Sequence, residues 1–192
     1  MTYRAWDQTQ GASGKLFAIS ATGGATAFSA TEATVTLTIT HVNHAPTWSG
    51  SGAALTPVLP GTNNPAGDSV ASVFGSFFHD IDGNGVGVAV TGLTGTSGGV
   101  WQYSLDGGAT WTNFGSVSLA AARLLAGSDL IRFVRNAGFN GPVTLTAYAW
   151  DQTSGIDGST ANLSLPGTTG GSTAFSISKL TASALVNSAP SL

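Results

Sequence analysis

The sequence predicts an all-β protein built as an antiparallel β-sandwich, and three observations predict it. Thr, Val, Leu and aromatic residues gather in short runs, the residue types that fit a pleated, half-buried surface. Gly (27 residues), Asn and Asp punctuate those runs as turn formers. About seven such runs with turn signals between them match two packed antiparallel sheets better than a helical or α/β pattern.

Taken in chain order, "VTLTITHV" puts Val35, Leu37 and Ile39 on one face and Thr36, Thr38 and Thr40 on the other, a half-buried strand with a wet side. Val70 to Phe78 is apolar and aromatic and reads as a strand before the turn "DIDGNG". Val86 to Thr91 alternates Val with small residues. Val100 to Ser104 and Trp111 to Phe114 flank "LDGGAT", whose Asp-Gly-Gly is a strong hairpin signal. Leu119 to Leu125, "LAAARLL", reads as one or two helical turns stopped by Gly127. Leu130 to Val134 and Val143 to Trp150 are strands around "RNAGFNGP", and Phe175 to Val186 supplies the last.

Composition narrows the function. With 42% hydrophobic residues in 192, the chain can fill one good core and part of another. Only 8% are charged, which is the opposite of a disordered composition. Six Lys and Arg without a basic cluster argue against nucleic acid as a partner. No apolar run reaches the roughly 20 residues of a membrane-spanning helix, and "MTYRAWDQTQ" is not a signal peptide. The absence of cysteine excludes disulfides, zinc-thiolate sites and a Cys nucleophile.

An internal repeat organises the chain. "TYRAWDQTQG" returns as "TAYAWDQTSG", "GGATAFS" as "GGSTAFS", and "VNHAP" as "VNSAP". Trp6 recurs at Trp150 and Pro46 at Pro190, a spacing of 144 residues, while Phe28 recurs at Phe175, a spacing of 147. The chain therefore reads as the closing part of one repeat plus linker, residues 1–46, followed by a complete repeat, residues 47–190. Units of this length are domains, not solenoid turns. Each Asn-x-Ala-Pro marks a linker, because proline removes a donor and extends the residue before it. On this reading the sequence is an excerpt from a longer array.

"SLDGGATW" (Ser104 to Trp111) fits the Asp-box pattern S-x-D-x-G-x-T-W and resembles the blades of sialidases and related propellers. A propeller needs a blade every 40 to 50 residues or so, and this box occurs once per repeat. A sialidase also needs an arginine cluster and a Tyr nucleophile with an acid partner, and Arg132 and Arg135 show no such convergence. The expected role is a hairpin staple, with Asp106 capping the turn, Gly108 at positive φ and Trp111 packed beneath.

The remaining polar cluster is His79-Asp80-Ile81-Asp82-Gly83-Asn84-Gly85. It opens like an EF-hand, but Thr91 stands at the twelfth position, where a bidentate Glu is required. Taken alone, Asp80 and Asp82 are equally well read as calcium ligands or as turn formers.

The order "FFHDIDGNGVGV", "AYAWDQTSG", "VNSAP" resembles the cadherin pattern of D-x-D, A-x-D-x-G and a D-x-N-D-type linker before Pro. "LAAARLLAGSDLIRFVRNAGFNGPVTLTAYAWDQTSG" is similar to the cadherin-like repeats of large bacterial surface and type I-secreted proteins. The resemblance covers essentially the whole chain. It implies a cadherin/immunoglobulin-like Greek-key sandwich in an extracellular or bacterial cell-surface adhesin. It also implies Ca²⁺ at the junction, held by Asn43 with Asp80, Asp82 and Asp151, and Asp7 serving the preceding junction. The chain departs from the family in carrying His41 and His44, and in the second copy Ser188, where acidic linker positions are usual, and it has no obvious D-R-E motif. Fewer carboxylates lower the expected Ca²⁺ affinity to about 10⁻⁴–10⁻³ M or abolish it. All three histidines, His41, His44 and His79, fall on segments expected to meet there, which raises a transition-metal site as a sharper alternative. Solvated or packed linker histidines are the plainer one.

Three classes of function follow. The first is a non-catalytic structural or adhesive repeat module whose partners are neighbouring repeats, with self-association through sheet edges. The second is a carbohydrate-binding sandwich that meets a glycan or cell-surface ligand through exposed aromatics, with Trp48 the least explained of five Trp. The third is a hydrolase, which needs paired carboxylates or a nucleophile beside a base. No His stands near a candidate nucleophile, so no enzyme is expected. "LPGTN" at 59 and "LPGTT" at 165 fail the fifth position of the sortase signal L-P-x-T-G. Residues 1–46 on their own leave unpaired strands, which keeps a strand-exchanging fibre subunit as a further alternative.

Overall fold

A computed structural model describes residues 1–187. The chain divides into two compact units, Met1–His41 and Val42–Leu192, so Val42 to Pro46 go with the second unit.

In the first unit β1 (Thr2–Tyr3) pairs antiparallel with β2 (Ala33–Thr34), Thr2 opposite Thr34. Trp6 bridges Phe28, and the Trp6 indole N–H donates to Gln10 O at 2.6 Å. The strand expected from Val35 to Thr40 does not form. Val35, Leu37 and Ile39 are 50%, 82% and 86% exposed and carry no regular structure. Strands need partners for their backbone groups, and within this unit residues 35–40 have only the Val35 N–H bond to Met1 O and the Met1 ammonium bond to Val35 O.

The second unit is an antiparallel β-sandwich. It comprises β3 (Thr47–Trp48), β4 (Ala53–Ala54), β5 (Asp68–Ser69), α1 (Val70–Phe74), β6 (Phe78–His79), β7 (Gly87–Leu93), β8 (Gly99–Ser104), β9 (Thr112–Asn113), β10 (Ala122–Ala126), β11 (Leu130–Arg135), β12 (Gly141–Trp150), β13 (Thr160–Ala161) and β14 (Phe175–Val186). A six-stranded sheet runs β13-β10-β7-β12-β14-β4, and a four-stranded sheet runs β5-β11-β8-β9. Within them every pairing is antiparallel except β4 with β14. β3 and β6 form a separate ribbon.

The period-2 pattern explains the layers. In β12, Val143, Leu145 and Ala147 are buried and Thr144, Thr146 and Tyr148 are not; in β14, Leu180, Ala182, Ala184 and Val186 alternate with more exposed residues. These inward rows meet Trp101, Tyr103, Ile131 and Phe133 of the smaller sheet to make the main core. A second cluster, built on Leu124, Trp150, Leu163 and Phe175, lies on the other face of the larger sheet.

Two further expectations are corrected. Leu119 to Leu125 is not helical, because residues 122–126 form β10 between β7 and β13. Leu124 and Leu125 are both fully buried on opposite faces, which a two-sided strand position provides and an edge helix does not. Val70 to Phe78 is not one strand, since Val70–Phe74 is a short helix. Ser69 Oγ caps it by accepting the Ser72 N–H at 3.1 Å. Val70, Val73 and Phe74, at i, i+3 and i+4, all face the core.

Candidate functional site

The A-W-D turn is the same local device in both units. In the second, Trp150 Nε1–H donates to Ser154 O (2.6 Å), Gln152 takes φ +68°, and Asp151 Oδ1 accepts from the Thr153 N–H (2.8 Å) and hydroxyl (2.6 Å). In the first, Trp6 does this with Gln10, Gln8 has φ +68°, and Asp7 Oδ1 accepts from Thr9 N–H and Oγ1–H at 2.8 and 2.6 Å. The hydroxyl of Ser29 receives Ala5 N–H as that of Ser176 receives Ala149 N–H. Thr2↔Thr34 repeats as Thr146↔Thr181, with the spacings of 144 and 147 seen in the sequence. The Thr9 bonds hold the Asp7 carboxyl below its ordinary pKa. Asp7 therefore sits in its own turn.

Around Asp151 the linker docks on the second unit. Asn43 Nδ2 donates to Asp151 Oδ2 at 2.8 Å and to Thr173 O at 3.1 Å. Asn84 Nδ2 reaches Asn43 Oδ1 at 3.4 Å. His44 N–H donates to Asp82 Oδ2 at 2.7 Å, and its Nδ1 lies 3.1 Å from Asp82 Oδ1. Ala45 N–H donates to Gly171 O (2.8 Å), Pro46 is buried, and β3 then pairs with β6, Thr47 opposite His79. Asp80 Oδ1 accepts the Asp82 N–H at 2.7 Å, folding "DIDGNG" into an Asx-turn with Gly83 at φ +76°. Gln152 Nε2 ties the A-W-D turn to Gly85 O and Val86 O. The clamp thus joins the linker, the D-x-D turn and the A-x-D turn.

Asn43 therefore meets Asp151 directly, and Asp82 meets the linker through His44. Asp80 acts within its own turn, and its Oδ2 is a buried oxygen without a partner. The exposed His79 meets the linker through its backbone, as the opposite of Thr47, and the exposed His41 belongs to the first unit. Ser188 and Pro190, which the sequence assigns to the second linker, lie outside the described residues. One partner escaped sequence reasoning, since Asn84 reads as an ordinary turn residue. His44 and Asp82 are both expected at the junction from the sequence, but as candidate metal ligands, not as each other's hydrogen-bond partners.

Among the described residues no group of three or more His, Asp or Glu side chains is arranged to hold a metal ion. Both oxygens of Asp151 and of Asp82 already accept bonds from protein N–H, O–H or ring nitrogen groups.

The Asp-box is a hairpin staple. Asp106 accepts from Thr110 N–H (2.8 Å), Thr110 Oγ1–H (2.6 Å) and Ser104 Oγ–H (2.7 Å), and Gly107 and Gly108 hold φ +69° and +95°. The Thr110 hydroxyl first, then the other donors, pull its pKa down to about 2. Trp111 is covered by the Arg132 guanidinium, 3.7 Å from its ring centre.

A separate carboxylate pair closes the β10–β11 turn. Asp129 Oδ2 and Asp157 Oδ1 both accept the Ala126 N–H, at 2.7 and 3.1 Å. Burial above all, then the hydrogen bond with Asp157, pushes the Asp129 carboxyl up to about 7.

No protein-family model matches the chain, and no curated protein and no solved structure matches it significantly. The class that the fold and the site define is thus the all-β sandwich with a docked linker. No helix among the described residues is long and apolar enough to cross a membrane.

Proposed function

We propose that this chain is a non-catalytic structural or adhesive module of a large extracellular surface protein, a cadherin-like Greek-key repeat in tandem with its neighbours. One observation carries the reading. The hydrogen bonds around Trp6, Asp7 and Ser29 recur around Trp150, Asp151 and Ser176, so the same local turn is built twice in one chain, which supports a repeat. The linker clamp supports it, because a spacer must fix the direction in which the chain enters each domain. Asp151, Asp82 and Asp80 Oδ1 accept from backbone, amide, hydroxyl and ring groups, which supports a structural use. The calcium expected at the junction is replaced in this reading by Asn43–Asp151 and Asp82–His44. Labelling intact producing cells with a membrane-impermeant antibody against the chain tests the reading. Surface signal removed by external protease is expected, and signal only after lysis overturns it.

The carbohydrate-binding alternative loses its leading residue, since Trp48 packs on Phe74 and Phe78 with ring centres 5.6 and 6.0 Å apart. The strand-exchange alternative has one observation in its favour. By the 147-residue spacing, exposed Val35, Leu37 and Ile39 correspond to Ala182, Ala184 and Val186, which are buried in the sandwich. Such a row favours self-association with a second copy. Sedimentation at increasing concentration checks it: a growing oligomer supports exchange, and a constant monomer removes it.

A further inference from the structure

The segment from residue 55 to residue 68 crosses from β4, at the edge of the larger sheet, to β5, at the edge of the smaller one. Its first half is strapped to β14 by Leu55 N–H to Ser183 O (2.9 Å), Val58 N–H to Leu185 O (3.0 Å) and Asn187 N–H to Val58 O (2.9 Å). Beneath it the open side of the sandwich keeps a cavity of 380 Å³. That lies within the roughly 300–1,000 Å³ of small-molecule sites. Trp101, Phe133 and Ala184 line it from the core, and Pro57, Leu59 and Pro65 from the crossing segment. The Trp101 indole N–H is satisfied by Thr94 O at 2.8 Å, so the core side offers the cavity no unpaired indole donor.

Arg132 lines the same cavity and is nine-tenths buried, at 9% exposure. Its Nε–H donates to Gln102 Oε1 (2.9 Å), its Nη1–H groups to Asn64 Oδ1 (2.7 Å) and Pro65 O (2.9 Å), and its face lies on Trp111. Every one of these partners is neutral. Nη2 makes no hydrogen bond among the described residues. The carboxylate that shares the cavity, Asp68, forms no ion pair with Arg132; its oxygens accept Thr56 N–H at 2.9 Å and Thr56 Oγ1–H at 2.6 Å. Burying a cation without an anion is costly, and that burial pulls the guanidinium below its ordinary pKa. Three of its five N–H groups are used to aim the guanidinium, which leaves the Nη2 edge for an acceptor.

We propose that this cavity is a binding site for a small carboxylate with an apolar body, whose carboxylate meets the Nη2 edge of Arg132 and whose hydrocarbon lies against Trp101, Phe133 and Leu59. The site stands apart from the linker clamp and does not depend on the repeat reading. Binding is non-covalent, and a buried guanidinium without a counter-ion favours an anion accepting from Nη2 over a neutral alcohol of the same length.

The test titrates the whole chain with hexanoate at pH 7.5 by calorimetry and by ¹H–¹⁵N shifts, with hexan-1-ol and acetate as controls. Hexanoate is expected to bind at least tenfold more tightly than either control, with shifts at Trp101 Nε1–H and the amides of 56–68. Arg132→Gln is expected to weaken it at least tenfold. If Arg132→Gln fails to fold, Arg132→Lys and the rim variant Leu59→Asp decide. Each should retain the wild-type circular dichroism and lose at least fivefold in affinity. Equal binding of hexanoate and hexanol, no binding at millimolar concentration, or unchanged affinity in folded variants overturns the proposal.

Discussion

Replacing Asp129 by Asn should make the protein more stable at pH 8 than the wild type and remove most of the pH dependence between 4 and 7. Asp129 shares the Ala126 N–H with Asp157 at the β10–β11 turn, with its carboxyl raised from 3.8 to about 7. Asp68 on the adjoining β5 is engaged by Thr56, α1 contributes no charge, and Arg123 of β10 is turned to Gly158 O. An acid whose pKa is raised by folding binds more protons folded than unfolded. Its contribution is therefore complete below about pH 4 and is lost as the pH climbs to about 7. A shift of roughly three units corresponds to about 4 kcal/mol at 1.36 kcal/mol per unit. Asp157 is exposed, so solvent screening reduces the expected loss to about 2 kcal/mol. For a unit of this size that is a fall in Tm of about 4–8 °C. Thermal melts in half-unit steps from pH 4.5 to 8 measure it, above the range where Asp106 and Asp7 protonate. In the Asp129→Asn variant the new amide keeps an oxygen for Ala126 and offers an N–H to Asp157, so the profile should be nearly flat. A wild-type Tm that rises across this range, or an Asp129→Asn profile as steep as the wild type, refutes the reasoning.

Asn43→Ala removes a charge-assisted bond to Asp151, which is buried, and should cost about 2 kcal/mol in urea denaturation. Combined with Asp151→Asn it should cost less than the sum of the two single changes. Asp106→Ala should leave global stability nearly unchanged while the Thr110 amide loses its exchange protection, because all its bonds stay within one hairpin. Adding 2 mM Ca²⁺ or excess EDTA should move Tm by less than about 1 °C, since protein donors already occupy Asp82 and Asp151. A rise of several degrees with Ca²⁺ would restore the metal-held junction.

Strands with one wet face are readable in advance. Val143 to Trp150 and Phe175 to Val186 alternate over enough residues that only one register buries the apolar row. The Asp106 hairpin and the A-W-D turn are equally legible, because their bonds are local. "LAAARLL" is misread because Ala and Leu favour helix alone, and only β7 and β13 on either side make a strand the better choice. "VTLTITHV" fails the other way: its pattern is a strand's, but residues 35–40 lack a neighbouring strand within their unit. At the site, the meeting of Asn43 with Asp151 follows from the repeat and the resemblance. The Asp82–His44 pair, Asn84 and the Asp129–Asp157 pair depend on long-range contacts that no local spacing encodes.

The docked linker is the claim on which the repeat account turns, and ¹⁵N relaxation of residues 42–47 tests it most directly. Order parameters of about 0.85, equal to those of β12 and β14, are predicted because Asn43, His44 and Ala45 are each bonded to the sandwich. Values below about 0.6 for Asn43 to Ala45 would mean that the chain enters the domain loosely, and would contradict the account.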